Sequence, residues 1–190
     1  MKEFKGFKAE RSGGRDILPA GGYVAKIIGA RIDNFDSYSK LVIAFDVDEG
    51  KFAGFFKKDF DNNTREDKKW RGTLRLTVPV DDGSEKDEWS KKAFGRAMWA
   101  VEKSNPGYHW DWDEGKLKGK TVGVLFRNRE WDMNGNTGWT TECCAFDSAQ
   151  RIRDNEFKMP KDKPLPTKSA SANYGGFTPI IAEESDELPF

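Results

Sequence analysis

The chain has 190 residues and a mass of 21.6 kDa, with 32 Lys+Arg against 32 Asp+Glu, 36% hydrophobic and 34% charged residues. That apolar supply suits one modest core under a heavily solvated surface, and with no run of 18 apolar residues a transmembrane helix is excluded. No apolar stretch follows the charged first residues, so no secretory signal is expected; the adjacent Cys143 and Cys144 cannot build a disulfide framework, which fits a reducing, cytoplasmic compartment; and one histidine, His109, leaves too few soft ligands for zinc.

Residues 1–16 are polar, contain Gly13-Gly14, and predict a flexible arm. Residues 21–33 predict a first strand, in which Gly29 marks a bend or bulge. Residues 38–48 predict a second, with Leu41, Ile43, Phe45 and Val47 on one face and Lys40, Ala44 and Asp46 on the other. After the Glu49-Gly50 turn, the aromatic-rich residues 52–60 are expected to extend it. Residues 73–80 alternate Leu74, Leu76, Val78 and Val80 against Thr73, Arg75 and Thr77, the pattern of a half-buried strand.

One helix is expected next. Ser84 followed by Asp87 imitates a capping box, and Glu85, Asp87 and Glu88 suit a positive helix N-terminus. Phe94, Ala97, Met98 and Val101 fall on the i, i+3, i+4, i+7 template, and Asn105-Pro106 ends the run. Beyond a loop holding Tyr108, Trp110 and Trp112, a strand with Val122, Val124 and Phe126 inward and a second over 139–146 are joined by an Asn134-Gly135 hairpin turn.

This order predicts a mainly β domain over 17–157, an OB-fold: a five-stranded Greek-key barrel with one helix between its third and fourth strands. From Lys158 the chain turns rich in Pro, Ser, Ala, Gly and Lys and loses all periodicity, which predicts a disordered linker over 158–178. Residues 179–190 hold four acids and no base, leaving 32 basic and 28 acidic residues elsewhere, so a mildly basic body carries an acidic tip.

Catalytic chemistry finds little support. Residues 115–121 imitate a phosphate-binding loop, but only three residues separate the glycines and a strand follows, not a helix. Residues 132–136 imitate the start of a calcium loop whose twelfth position falls on Cys143, so a hairpin explains them better. Asp111, Asp113 and Glu114 leave open a magnesium-dependent nuclease. Cys143 and Cys144 occupy opposite strand faces, with nothing local to orient a His109–thiol pair. No metal or cofactor is expected.

The basic–aromatic pattern is more informative. A reader of single strands needs flat rings for the bases interleaved with cations for the phosphates. Opposite the expected core sets lie Tyr38 and Lys40 on the second strand, Arg75 on the third, and Arg127, Arg129 and Trp131 on the fourth. Phe55 and Lys57 in the extension, Trp70-Arg71 ahead of the third strand, and Trp139 at the start of the last complete an expected basic groove. Trp89 and Trp99 are expected to pack.

The ending Glu183-Glu184-Ser185-Asp186-Glu187-Leu188-Pro189-Phe190 resembles the tip of bacterial single-stranded-DNA-binding proteins (SSBs), which end in acids, an aliphatic residue, proline and phenylalanine. The longer, tryptophan-rich body resembles divergent bacteriophage-encoded SSBs instead, in residues 16–23 and 117–120. The resemblance implies a non-enzymatic protein that coats single-stranded DNA in the host cytoplasm. It also implies that Asp186, Glu187, Leu188, Pro189 and Phe190 dock on replication, recombination and repair proteins, an annealing recombinase being one example. A homo-oligomer is compatible with such a barrel. The alternative is a decoy that borrows the tip to occupy host repair or replication enzymes without holding DNA.

Overall fold

The computed structural model describes residues 16–166; the expected arm, save Asp16, and the whole acidic tip lie outside them. Five antiparallel strands form one open sheet in the order β3-β2-β1-β4-β5. They are β1 (Gly21–Asn34), β2 (Ser39–Val47), β3 (Thr73–Thr77), β4 (Thr121–Met133) and β5 (Asn136–Asp147). Helix α1 (Phe55–Asn62) joins β2 to β3, α2 (Glu85–Ser104) and a 3-10 turn (Glu114–Leu117) join β3 to β4, and α3 (Ala149–Arg153) follows β5.

The inward faces match the alternation in the sequence. Leu41, Ile43, Phe45 and Val47 are buried, as are Leu74, Leu76, Val122, Val124 and Phe126. Helix α2 closes this core with Phe94, Ala97, Met98 and Val101. Its cap is the one expected: the Asp87 amide donates to Ser84 Oγ at 3.1 Å. At its other end the Asn105 amide group donates to Val101 O and Thr121 O, tying the helix to the start of β4.

Two expectations are corrected. Residues 52–60 contain a helix, α1, not a strand extension. Phe52, Phe55, Phe56 and Phe60 have helical spacing, Gly50 and Gly54 turn the chain at φ 80 and 72, and the Asp46 carboxylate accepts from the Phe56 and Lys57 amides at 2.9 and 3.2 Å. That remote carboxylate satisfies amides that Gly54, lacking a side chain, cannot cap. The third strand stops at Thr77, before Pro79, which has no amide for a ladder, and Val80 is exposed.

Helix α3 lies against the other side of the sheet, burying Val24 and Leu125 with Ala149, Ile152 and Phe157. Gly22 and Gly123 permit the approach: a Cβ on them would meet Phe157 at 2.8 Å and Ile152 at 2.5 Å. The first part of the expected linker also pairs with the body. Lys163 N donates to Asn128 O at 2.8 Å and Glu130 N to Lys163 O at 2.9 Å, where β4 has run past the start of β1.

Candidate nucleic-acid interface

A bulge in β1 decides which side chains share the outer face of the sheet. Between Ile27 and Gly29 the register to β2 shifts by one residue, as a glycine inside a strand suggests. Beyond it Ala30 and Ile32 sit opposite Ile43 and Leu41 on the core side, so Arg31 and Asp33 turn outward. Arg31 then lies beside Val42, and Val42 beside Arg75 on β3, giving a row of Arg, Val and Arg across three strands. Lys40 stands in the next row, between Asp33 and Thr77.

The row leads toward the β1–β2 turn. Phe35 and Tyr38 stack there with centroids 4.8 Å apart and planes 23° apart, and Lys40 Nζ lies 5.4 Å from the Tyr38 ring centroid. The turn is held by Phe35 N donating to Tyr38 O at 2.9 Å and Ser39 Oγ donating to Asn34 Oδ1 at 2.7 Å. Both rings are exposed, 50% for Phe35 and 37% for Tyr38, so a pre-stacked platform lies beside Lys40, with Arg31 and Arg75 one row further along the sheet. Arg31 is shared with Asp33 at 2.8 Å but keeps most of its side chain in solvent. Tyr38, Lys40 and Arg75 were expected here. Phe35 and Arg31 were missed: one lies in a turn, and the other changes face only through the bulge.

The β4–β5 hairpin presents a second cluster. Arg127, Arg129 and Trp131 share its outer face, as the alternation predicts, but Glu142 sits opposite Arg127. Glu142 pairs with Arg127 Nε at 3.1 Å and with Arg129 Nη1 at 3.4 Å. Trp131 lies across Gly138, where a Cβ would fall 2.7 Å from the indole, and remains 37% exposed. Trp139 is half-exposed but sits opposite Glu130, one residue out of phase with Trp131. It therefore belongs to the other face, so the two tryptophans expected side by side are separated by the sheet.

Of four other expected groove residues, Phe55, Trp70 and Arg71 pack on the core or its rim, and Lys57 stays on the surface in an ion pair. Phe55 meets Phe52 and Phe56 edge-on at 6.3 and 5.2 Å, packed against the core. Trp70 Nε1 donates to Phe45 O at 3.0 Å and to Gly72 O at 3.2 Å, which turns the indole inward. Arg71 grips Asp59 through two hydrogen bonds of 2.7 and 2.8 Å. Lys57, one helical turn from Asp61, is bonded to it at 2.8 Å, which holds its ammonium above the ordinary lysine range. An aromatic on a helix at core spacing packs; that spacing was the available signal.

The opposite assignment fails for Trp89 and Trp99, both exposed on α2. Asp111 pairs with Lys116, and Asp113 accepts from Gly115 N at 3.0 Å, so these acids organise their own loop. Among the described residues no group of three or more His, Cys, Asp or Glu is placed to hold a metal ion. The Cys143 thiol is pushed well up by burial, with the neighbouring Cys144 adding to the shift, which opposes a thiolate nucleophile. No helix among the described residues is long and apolar enough to cross a membrane. The tip residues Asp186 to Phe190 lie outside the described residues. Compared with known protein families and with curated proteins, the chain matches none of them.

Proposed function

We propose that the protein binds single-stranded DNA without sequence specificity, through an OB-type barrel, and recruits replication or recombination proteins through its acidic C-terminal segment. The strand order β3-β2-β1-β4-β5 is that of a five-stranded OB barrel opened between β3 and β5, and Cα atoms of these two strands approach within 8 Å. OB barrels hold oligonucleotides on the face of strands 2 and 3 and in the loops joining strands 1–2 and 4–5. Lys40 on β2 and Arg75 on β3 correspond to the first of these places, with Arg31 beside them on β1, and the Phe35–Tyr38 stack corresponds to the second. Arg129 and Trp131 flank the third.

The observation that carries the reading is the run from the Arg31–Val42–Arg75 row through Lys40 to a stacked, exposed ring pair. Cations attract the phosphates and release counterions; the rings receive unstacked bases irrespective of sequence. Titration of the full chain with oligo(dT) at low salt tests it through tryptophan fluorescence. Binding that weakens with salt at a slope of about −0.7 per neutralised phosphate is expected. No binding at low salt would overturn the reading and favour the decoy, whereas cleavage of a labelled strand with magnesium or manganese would favour the nuclease.

A further inference from the structure

Helix α2 carries an outward face that the sheet site does not use. Trp89, Lys92, Arg96, Trp99 and Lys103 recur at intervals of three and four residues, and all are exposed. At 100° per residue they fall within an arc of about 80°, on the side opposite Phe94, Ala97, Met98 and Val101, which face the core. Trp89 is 48% and Trp99 44% exposed, and Lys92 Nζ lies 5.5 Å from the Trp89 ring. The core face of the helix is complete without these two rings, and it is their alignment with cations along one stripe that sets them apart from singly scattered surface hydrophobics.

From Trp89 onward the charge on this face is positive, with Glu85 in the first turn of the helix its acidic boundary. Between Trp89 and Lys103 the only acid is Glu102, which lies off the stripe and accepts from Trp110 N at 2.8 Å. Lys91, the neighbouring cation, is taken up by Asp81, Asp87 and Glu88. The two rings stand about 15 Å apart along the axis, at 1.5 Å per residue. Lys92 and Arg96 lie between them and Lys103 beyond. A polyanion bearing flat apolar groups complements this arrangement, whereas a second copy would set cations against cations.

We infer that the outer face of α2 is a second track for single-stranded DNA, separate from the β1–β2–β3 face, so that a long strand passes over both. This rests on the function proposed above. It deepens that reading by giving the protein two contact lines, and hence a footprint longer than one barrel face.

Fluorescein-labelled dT oligomers of two lengths, about 8 and about 30 nucleotides, separate the tracks, since one OB face occupies roughly 4–16. Each is titrated with the full chain and with Lys92→Gln/Arg96→Gln/Lys103→Gln, following anisotropy across a salt series. The triple variant is expected to bind the short oligomer unchanged. For the long one it should lose at least tenfold in low-salt affinity, and its salt slope should fall by at least about 1.4, from the phosphates met by Lys92 and Lys103 at about 0.7 each. Trp89→Ala/Trp99→Ala should weaken the long oligomer at least fivefold and leave the slope unchanged.

Equal affinities and slopes for wild type and both variants on the long strand would overturn the second track while leaving the sheet site standing. Failure of the wild type to bind either oligomer would overturn both. If deleting residues 183–190 tightened wild-type binding but not that of the triple variant, the stripe would be the seat of the chain's own acidic segment. If the variants instead abolished a concentration-dependent self-association, it would be an interface between copies.

Discussion

The two long hairpins of the sheet carry the same kinds of residue and put them to different use. On β1–β2, extended by β3, the position between Arg31 and Arg75 is held by Val42, and the aromatic pair stacks within one turn. On β4–β5 the position opposite Arg127 is held by Glu142, which draws in Arg129 as well, and Trp131 and Trp139 emerge on opposite faces. A cation beside a ring in the sequence is thus no measure of a binding surface; the residue across the ladder decides whether its charge is available. On the first hairpin one carboxylate, Asp33, takes up one arginine, Arg31, and Lys40 and Arg75 are the cations proposed to meet phosphates; on the second, Glu142 takes up both arginines.

Both hairpins hang on one aromatic cluster, and the largest expected effect tests that shared support. Phe56 stacks on Phe126 of β4 at 5.9 Å and meets Phe45 of β2 edge-on at the same distance. Phe56→Ala is expected to cost about 3–5 kcal/mol of stability, as for other buried Phe truncations, read by urea denaturation. A loss below about 1 kcal/mol would mean that α1 does not join the hairpins. Tyr38→Ala should do the reverse: stability within about 0.5 kcal/mol of wild type, but a loss of about 1–3 kcal/mol in affinity for oligo(dT), one stacked base. Unchanged affinity would remove the first hairpin's platform.

How much of this was legible follows from what each residue's role depends on. The core faces of β2 and β4, the core stripe of α2, its Ser84 cap and the Asn134-Gly135 turn, where φ is 55 and 82, depend on local period and turn chemistry and were readable. Helix α1 was misread because phenylalanine suits strands, although Phe52, Phe55, Phe56 and Phe60 keep helical spacing. Arg31 was hidden because one bulged residue, Ile28, reverses the face of everything after it. Glu142, fifteen residues from Arg127 in the chain, could be paired with it only once the β4–β5 register was known. Trp70 looked like a platform because a sequence does not show that the Phe45 and Gly72 carbonyls claim its indole N–H.

Salt dependence sharpens the comparison at smaller amplitude. Lys40→Ala/Arg75→Ala removes two cations of the first hairpin and should lower the salt slope for oligo(dT) by about 1.4, two phosphates at about 0.7 each. Glu142→Gln should act in the opposite sense on the second hairpin. The amide keeps the shape and one acceptor oxygen but gives up the charge that holds Arg129, whose side chain is already 53% exposed. Arg129 then becomes able to meet a phosphate, so the slope should steepen by about 0.7 and low-salt affinity should rise. Arg127, only 18% exposed beneath it, should contribute little. A variant that bound DNA no more tightly than wild type would mean that strands never pass along the β4–β5 arm, and that the first hairpin carries the sheet's whole contact alone.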